Sequence, residues 1–587
     1  MRLIKISSFL LLLSLCFGAC KKILQPEDDR HSTIDMVYQN PSFAEGLLLT
    51  AYVRLPTNSL DLSEVATDNA VSNNKTDQYH RMATGEWSSQ YNPVSEWNNS
   101  NSGILYLNNF LSIIDTVTWK WSNSSLNMMY ARRFRGEAYA LRGLLEYHLL
   151  ASVGGLGDNG QLLGFPIYNK IGMIDNFNAP RASFQESLNQ IYSDFDKALE
   201  YLNMGDYKDI SDASQLPAGL EGVDVGDYNA VFGNRANQRI SGQIVKALRA
   251  RVALLAASPA FSPGNDAALW EKAANYAAEA LEDINGIAGL DPVGNKFYDQ
   301  TRVDGIKLTA TNKDQQEIVW RRAIAVSNSR ESANFPPSLY GKGNINPTQN
   351  LVDAFPMANG YPISDPLSNY DPSHPYANRD PRLSLYIVFD GSSMKGKVIK
   401  TGVGGGIDAK DSIQTSTRTG YYLRKLLRED VNMDPVSTNT KNHYETYMRY
   451  TEVFLIYAEA ANEAWGPDGT GPNGYSARDV IAAIRKRGGI EQPDNYLASI
   501  TSKDEMRNLI RNERRIELCF EGFRFWDLRR WNADLTQPAK GVNINNNTFK
   551  IVDVEPRVYN NDYMHYGPVP QNEIVKFNAL IQNKGWK

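Results

Sequence analysis

Apolar residues recur at helical spacing over long stretches of this chain. Between residues 126 and 153 they fall at every third or fourth position, at Tyr130, Phe134, Ala138, Leu141, Leu145 and Leu149. This period of about 3.6 residues predicts one long amphipathic helix, which Gly154-Gly155 ends. A second helix is predicted to begin after Ser183, because Ser183 and Glu186 have the spacing of an N-terminal capping box.

Further helices are predicted in pairs. Residues 240–261 and 268–284 form one pair, and residues 447–465, 476–488 and 502–520 form a later group with short connections. Small residues would let these helices approach closely, for example Ala273, Ala274, Ala277, Ala278 and Ala280. The pattern predicts a mainly α fold of stacked helix pairs like a tetratricopeptide (TPR) array, although the strict repeat of about 34 residues typical of that class is not visible.

Two stretches interrupt the helical pattern. Residues 61–102 and 286–444 are rich in Gly, Pro, Asn, Asp and Tyr, with only short strand-like runs. We therefore predict a single body over residues 20–587, in which these two loop-rich insertions are carried by helical scaffold at about 40–60, 103–285 and 445–535. Binding chemistry usually lies on loops that a rigid scaffold carries, so we expect it in the insertions.

The first twenty residues have the features of a secretory signal. Two basic residues precede an apolar run at residues 9–15, which is too short to span a bilayer. The small pair Gly18-Ala19 before Cys20 resembles the lipobox of bacterial lipoproteins. That resemblance implies that residues 1–19 are a signal peptide, and that acyl chains on Cys20 tether the mature chain to a membrane. The alternative is plain secretion with a coincidental cysteine.

The net charge and the cysteine content of the chain limit the kinds of function it can have. A formal net charge of −5 makes the chain a poor binder of nucleic acid by default. With Cys16 lost in the signal and Cys20 acylated, Cys519 stands alone, so no intramolecular disulfide is expected. Its neighbours Leu518 and Phe520 are apolar, which predicts a buried structural thiol instead of a nucleophile.

The sequence lacks motifs of catalysis and of metal binding. The six histidines are scattered, without a His-Glu-x-x-His motif or a His/Cys cluster at metal spacing. Gly155 to Gly160 match the dinucleotide fingerprint in letters only, because they follow a long predicted helix instead of a strand. Paired loop carboxylates could serve a glycosidase, but the sequence does not place two of them together. We predict no cofactor, no metal at the functional site and no enzyme activity, and keep a glycoside-active enzyme as the weaker alternative. A structural Ca²⁺ among the Asp- and Asn-rich loops stays open.

The stretch Arg511–Trp531, RNERRIELCFEGFRFWDLRRW, contains six arginines. It could be a nucleic-acid patch, a catalytic cluster or the framework of a helical scaffold. Four carboxylates interleave with the arginines, which argues against nucleic acid. Arg514 and Glu517 have the i,i+3 spacing of an ion pair, and Glu513 and Glu517 are spaced to meet arginines of neighbouring helices. We therefore predict that the stretch is framework.

Seven segments, taken in order, resemble one protein family. They are the lipobox at Cys20 and the stretches RGEAYALRGLLEYHLLASVGGLG, NRDPRL, LIYAEAANEA, IAAIRKRGGI, IRNERRIELCFEGFRFWDLRRW and GPVPQNEI. Together they resemble the RagB/SusD family of outer-membrane lipoproteins from Bacteroidetes. Departures are small: Gly488-Gly489 stands where that family often has Ala-Gly, and Phe523 where it often has His.

The resemblance implies a fold, a partner and a task. The fold is a TPR-like scaffold at the cell surface, and the partner is a SusC-like TonB-dependent outer-membrane barrel. The task is the capture of oligosaccharides or polysaccharides for import. Two alternatives stay open beside it: a peptide-binding protein, and a purely structural lid of the transporter.

The resemblance also points to the loop after the first helix as the ligand region. Sugars offer apolar C–H faces and hydroxyls, so aromatic rings flanked by Asn and Arg would suit them. The candidates in that loop are Asn73, Asn74, Arg81, Trp87, Tyr91, Trp97, Asn98 and Asn101. Trp87 and Trp97 are the leading stacking candidates, unless Trp97 begins the next helix and packs inward. Tyr340, in the segment 334–344, is a second platform, whereas Trp320 is expected in the core.

Overall fold

A computed structural model describes residues 39–56, 63–169, 177–306 and 314–586. The predicted signal peptide and the predicted acylation site Cys20 lie outside these ranges, as does the end of the helical segment predicted at about 40–60. Within the described ranges, no helix has both the length and the apolar character needed to cross a bilayer.

The described part of the chain is mainly α-helical. In chain order its helices are α1 (Pro41–Val53), α2 (Gln78–Arg81), α3 (Trp97–Ile113), α4 (Ser124–Val153), α5 (Phe184–Tyr201), α6 (Val225–Phe232), α7 (Gly242–Ala257), α8 (Ala267–Glu282), α9 (Gln300–Asp304), α10 (Ser329–Asn334), α11 (Gln349–Ala354), α12 (Pro381–Tyr386), α13 (Tyr450–Trp465), α14 (Ala477–Gly488), α15 (Asn495–Ser499), α16 (Lys503–Glu517), α17 (Arg524–Arg530) and α18 (Gln571–Lys576). The helices of twelve or more residues lie within 41–53, 97–282 and 450–517, so α3 begins inside the stretch 61–102 that was predicted to be loop-rich.

The scaffold helices pack against one another. Helix α4 packs on α3 and on α5, and α8 packs on α7 and on α13. Glycine permits a close contact between α4 and the end of α5, because a Cβ atom on Gly136 would lie 2.5 Å from Leu202 Cγ. The alanines predicted to line α8 are buried. This packing confirms the predicted class of stacked helix pairs.

The helix ends follow local signals in the sequence. The predicted capping box is formed, since the Ser183 hydroxyl accepts from the Glu186 N–H and the Glu186 carboxylate accepts from the Ser183 N–H. Helix α4 ends at Val153, directly before Gly154-Gly155. Both helices therefore begin or end where short-range chemistry predicts.

Strands are short and pair in twos within the described residues. They are β1 (Ala70–Ser72), β2 (Gly155–Leu156), β3 (Leu162–Leu163), β4 (Ile318–Arg321), β5 (Ala325–Ser327), β6 (Ile345–Pro347), β7 (Ile387–Val388), β8 (Ser393–Met394), β9 (Lys397–Val398), β10 (Tyr422–Leu423), β11 (Lys441–His443), β12 (Thr446–Arg449), β13 (Ala539–Asn545) and β14 (Thr548–Glu555). Strand β1 pairs antiparallel with β6, which joins the first loop-rich insertion to the second. The hairpin β13–β14 was not anticipated from the sequence.

The apolar core has a scaffold part and an insertion part. The largest cluster of buried apolar side chains comes mostly from the scaffold helices and includes Trp320, as predicted. A second cluster comes mainly from the insertions and the C-terminal region, and it includes Cys519. The Cys519 thiol is buried and burial raises its pKa to about 12, which confirms the predicted structural thiol.

The arginine-rich stretch is framework, as predicted. Both carboxylates expected to meet arginines of neighbouring elements do so within the core. Glu517 accepts from Arg382 Nη1 at 3.0 Å and lies 3.1 Å from Arg487 Nη2. Glu513 accepts from Arg382 Nη1 and from Arg485 Nη1, each at 2.9 Å. These contacts tie α16 to α12 and α14.

The predicted ion pair between Arg514 and Glu517 is wrong. Arg514 instead donates from Nε to Asp527 at 2.8 Å. Helix α16 ends at Glu517, and the chain turns through Gly522, whose φ is +82°, so that α17 brings Asp527 beside α16. A partner thirteen residues ahead in the chain thus replaces the partner three residues ahead.

Candidate ligand-binding groove

The two loop-rich insertions meet where β1 pairs with β6. Asn73 follows β1, and its side-chain amide donates to the carbonyl oxygen of Lys342 at 2.9 Å. Its backbone N–H donates to the carbonyl oxygen of Asn344 at 3.2 Å. The structure therefore brings Asn73 next to the segment 334–344 that carries Tyr340. Because the side-chain amide of Asn73 already makes this hydrogen bond, its role is to position the segment 334–344.

A groove of about 420 Å³ lies beside Tyr340. The Tyr340 ring is 56% exposed and projects from a residue with φ of +64°, in the left-handed region. The other lining residues are Pro337, Ser338, Lys397, Val398, Lys400, Gly404, Gly405, Gly406, Ile407 and Asp408. We call this the Tyr340 groove. It combines the exposed ring of Tyr340 with the ammonium groups of Lys397 and Lys400 and with the glycine run 404–406, which has no side chains.

Hydrogen bonds fix the wall of the Tyr340 groove. The Asp408 carboxylate accepts from the Ser338 N–H at 2.8 Å, and the Lys397 ammonium donates to the Ser338 carbonyl oxygen at 3.3 Å. The Lys400 side chain is exposed. Among the described residues, no group of His, Cys, Asp and Glu is arranged to hold a metal ion. The groove therefore suits a ligand that stacks on a ring and hydrogen-bonds to ammonium groups.

Arg81 and Tyr91, two further predicted contacts, form a separate surface pair. The Arg81 guanidinium lies over the Tyr91 ring, 4.4 Å from the centroid. Its Nε also donates to Glu86 at 2.9 Å. The Tyr91 hydroxyl donates to the carbonyl oxygen of Gln78 at 3.3 Å. Both side chains are half-buried and already satisfied by protein, so a ligand at this position would have to compete with Glu86.

Trp87, a leading stacking candidate, is not an exposed platform. Its side chain is 4% exposed, and its ring makes edge contacts with Phe525, Tyr559 and Trp586 at 5.8, 6.0 and 4.7 Å between centroids. The Arg529 guanidinium lies 4.7 Å from the same ring. The polar loop around Trp87 suggested exposure, but the ring anchors that loop in the insertion core. The prediction of Trp87 as a ligand platform is therefore corrected.

Trp97 follows the inward-packing alternative. It is the first residue of α3, it is 6% exposed, and it belongs to the scaffold cluster. Its neighbour Asn98 is exposed in the first turn of α3, and Asn101 donates to the carbonyl oxygen of Trp97 at 2.9 Å. Asn74 is exposed beside Asn73 and accepts from the Thr76 N–H at 3.0 Å. Of these residues, Asn74 and Asn98 keep a surface position, and Trp97 does not.

Sequence reasoning missed most of the Tyr340 groove. Lys397, Lys400, Asp408 and the run Gly404–Gly406 lie far from Tyr340 in the chain. The sequence does carry one indication of a binding groove, because the run Gly404–Gly406 lies between Lys400 and Asp408. Its pairing with Tyr340 is a tertiary contact and has no short-range signature.

Two family models match the chain. The one described as the SusD family matches residues 306–586, and the one described as "Starch-binding associating with outer membrane" matches residues 26–216. SusD-like protein P38 of Formosa agariphila is 23% identical, over 91% of this chain and 93% of its own length. SusD-like protein P2 of the same organism is 31% identical, but that match covers only 23% of this chain and 24% of P2.

The fold is shared with solved structures. A SusD-like carbohydrate binding protein from Bacteroides fragilis matches with a TM-score of 0.67 and 21% identity, over 93% of this chain and 99% of that chain. At this identity the likeness concerns the fold alone, and what that protein binds is not thereby transferred to this chain.

Proposed function

The chain belongs to the SusD family, and on that premise we propose that it captures oligosaccharides at the surface of the outer membrane and passes them to a SusC-like TonB-dependent transporter. Acyl chains on Cys20 would hold it there, with residues 1–19 removed as a signal peptide. It would bind its sugars without cleaving them. The proposal is supported by the two family matches and, within the chain, by the exposed ring of Tyr340 beside a polar groove.

The Tyr340 groove has the chemistry that a sugar chain needs. A pyranose can lay its C–H face on the Tyr340 ring, because an aromatic face attracts such partially positive hydrogens. Its hydroxyls can accept from the ammonium groups of Lys397 and Lys400. The run Gly404–Gly406 has no side chains, so a ligand can approach its backbone closely. In this proposal the platform is Tyr340, and no longer Trp87 or Trp97.

Calorimetry on the soluble chain that begins at residue 21 tests the ligand and the site together. We expect one or more members of a glycan panel to bind, and Tyr340→Ala to weaken that binding about two- to tenfold, since ring contacts contribute about 0.5–1.5 kcal/mol. Trp121→Ala is the matched control, because Trp121 is 92% exposed but lies in the connection between α3 and α4. Unchanged affinity in Tyr340→Ala would move the site elsewhere, and binding of peptides in place of glycans would contradict the ligand class.

Two further measurements address cleavage and partnership. Chromatography of the panel after incubation should show intact sugars, whereas shortened products would indicate an enzyme. Purification of the full chain from detergent-solubilised outer membranes should bring a large TonB-dependent barrel with it. Absence of such a barrel would count against the transport partnership and leave glycan binding standing.

A further inference from the structure

A second groove, larger than the Tyr340 groove, lies where α12, the end of α14 and the segment 292–300 meet. Its volume is about 670 Å³, within the range of about 300–1,000 Å³ that is typical of small-molecule sites. We call it the Asn295 groove. It shares no lining residue with the Tyr340 groove. Since a cavity of about 150 Å³ already holds one benzene ring, this larger volume can hold a short stretch of sugar chain.

Two core contacts fix the backbone of the segment 292–300 beside this groove. The Asn295 carbonyl oxygen accepts from the Tyr386 hydroxyl at 3.3 Å. A Cβ atom on Gly294 would clash with the buried Glu317 carboxylate, so only glycine permits this close approach. The segment therefore presents the Asn295 side chain and its neighbours to the groove from a defined backbone.

The side-chain amide of Asn295 is buried without a hydrogen-bond partner. The residue is 6% exposed and lines the groove. None of the described residues forms a hydrogen bond with its amide nitrogen or oxygen. Buried polar groups almost always have a hydrogen-bond partner, so this amide is left for a molecule in the groove. It offers two N–H donors and one acceptor oxygen.

Further polar groups beside Asn295 are also free. The Lys296 ammonium and the Gln300 amide are exposed and, over the ranges that the structure describes, make no hydrogen bond or ion pair. Asp299 accepts from the Thr301 N–H at 2.9 Å at the start of α9, and it has no ion pair with any described residue. These groups can both donate to and accept from the hydroxyls of a ligand.

The four guanidinium groups that line the groove are each paired with a carboxylate. The pairs are Arg382–Asp380, Arg424–Glu429, Arg428–Asp304 and Arg487–Glu517, at 2.6, 2.6, 2.7 and 3.1 Å. Arg487 also lies 3.3 Å from Glu317, so its charge is compensated on two sides although its Nε makes no hydrogen bond to a described residue. Lys296 and Asp299 are opposite in sign. The wall therefore has no excess of unpaired charge and favours a ligand rich in hydroxyl groups over an ion.

Apolar surface lies beside these polar groups. Pro292 and Pro381 line the groove, Val293 is 43% exposed, and the Tyr298 ring is half-buried. Sugar rings carry apolar C–H faces as well as hydroxyls, so a wall that combines both kinds of surface suits them.

The hairpin β8–β9 contacts both grooves. Glu429 lines the Asn295 groove and accepts at 3.0 Å from the backbone N–H of Lys395, which lies in the turn of the hairpin. Lys397 and Val398 of β9 line the Tyr340 groove. Lys395 and Lys397 are two residues apart, so their Cα atoms are at most about 7 Å apart. The walls of the two grooves are therefore close enough for one extended chain molecule to contact both.

We propose that the Asn295 groove binds a second portion of the oligosaccharide chain that stacks on Tyr340. A chain long enough to lie in both grooves is held more tightly than a short one, because its second contact is intramolecular. The identification of the ligand as a sugar rests on the proposed function. The second site itself rests on Asn295, Lys296 and Gln300.

Calorimetry on the soluble chain, with short and long members of malto-, cello-, xylo- and manno-oligosaccharide series, tests this site. We expect affinity to rise with chain length in the unaltered protein. Asn295→Ala removes the free amide and should weaken binding of the long members about two- to tenfold, the usual effect of one hydrogen bond. Lys296→Ala should act in the same direction. If circular dichroism shows that Asn295→Ala does not fold, Lys296→Ala still decides.

Lys486→Ala is the matched control for Lys296→Ala. Lys486 is exposed in the last turn of α14 but does not line the groove, so its loss should leave the affinity for every member unchanged. The shortest member that stacks on Tyr340 should likewise bind equally well to the unaltered chain and to Asn295→Ala.

The two proposals fail separately in this experiment. Binding that depends on Tyr340 but not on Asn295 or Lys296, or that does not strengthen with chain length, would overturn the second site and keep the proposed capture of glycans. Binding that depends on Asn295 and Lys296 but not on Tyr340 would keep the Asn295 groove and overturn the Tyr340 groove. Peptides bound in place of glycans, or no glycan bound, would overturn both.

Discussion

Glu517→Gln is expected to destabilise the folded chain by about 3 kcal/mol at pH 7. The carboxylate is fully buried among Arg382, Arg449 and Arg487, with its nearest contacts to these guanidinium groups at 3.0, 3.8 and 3.1 Å. Burial by itself raises the pKa of Glu517, but the charges of the arginines outweigh it and lower the pKa from 4.5 to about 2. That difference corresponds to about 3 kcal/mol in favour of the ionised, folded form.

An independent argument gives the same magnitude. Removing one partner of a buried ion pair usually costs about 3–5 kcal/mol, because the opposite charge is left buried without compensation. Glutamine has nearly the shape of glutamate, so the substitution leaves packing intact and isolates the charge. Its amide N–H₂ would also face arginine donors, which adds repulsion.

The pH dependence follows from the direction of the pKa change. The folded pKa of Glu517 lies below its unfolded value, so its stabilisation is complete above about pH 4.5 and is lost as the pH falls toward 2. The unfolding free energies of the wild type and of Glu517→Gln should therefore converge over that range. Urea unfolding followed by circular dichroism, at several pH values from 7 downward, measures this convergence.

A surface glutamate serves as the control for Glu517. Glu282→Gln lies at the exposed end of α8, where the side chain makes no ion pair with any described residue, and should change stability by less than about 0.5 kcal/mol. A loss below about 1 kcal/mol in Glu517→Gln at pH 7, or a loss independent of pH, would refute the electrostatic argument.

Two further predictions concern packing and reactivity. Gly136→Ala should lower the free energy of unfolding in urea by about 1–2 kcal/mol, because the new Cβ would lie 2.5 Å from Leu202 Cγ. Gly46→Ala in α1 is the control and should raise it by about 0.5–1 kcal/mol, because a Cβ there meets nothing within 4 Å. Equal effects of the two substitutions would show that the α4–α5 contact is not tight. Cys519 should not react with Ellman's reagent in the native chain and should react fully after unfolding. The reason is that the thiol is buried and its pKa is raised to about 12. Rapid labelling of the native chain would contradict that burial.

The scaffold was predictable because its signals are local. The period of α4, the capping box at Ser183 and the stop after Val153 each depend on residues within a few positions of one another. For the carboxylates of the arginine-rich stretch, the sequence predicted that arginines would be the partners but not which arginines. Glu513 was expected to meet arginines, but one of them, Arg382, is 131 residues away, and no spacing rule selects it.

The surroundings of the proposed Tyr340 site could not be predicted from local sequence patterns. Trp87 stands in a polar loop, which argued for exposure, yet the residues that bury it include Trp586, 499 positions later in the chain. Tyr340 kept its exposed position, but its companions Lys397 and Asp408 come from segments that short-range patterns do not connect to it. Side-chain exposure in an irregular loop depends on tertiary contacts, so composition alone ranks such candidates poorly.

The insertions are ordered mainly by buried arginines instead of by sheets. Strands there are two to four residues long, so many carbonyl oxygens have no ladder partner and need another donor. Arg379 donates to the carbonyl oxygens of Val352 and Phe355, each at 2.6 Å, and to a third at 2.8 Å. Arg557 likewise donates to the carbonyl oxygens of Thr67 and Ala70, at 2.7 Å each.

This use of arginine explains how loops so poor in regular structure can present a defined surface. A guanidinium has five N–H donors in a fixed plane, so one side chain satisfies several carbonyls and sets their relative positions. Arg418 connects the insertions in this way, donating to the Ser72 carbonyl oxygen at 2.9 Å while its own N–H donates to Asn346. The strand pair that positions Tyr340 is therefore held before any ligand arrives, which lowers the ordering cost of binding.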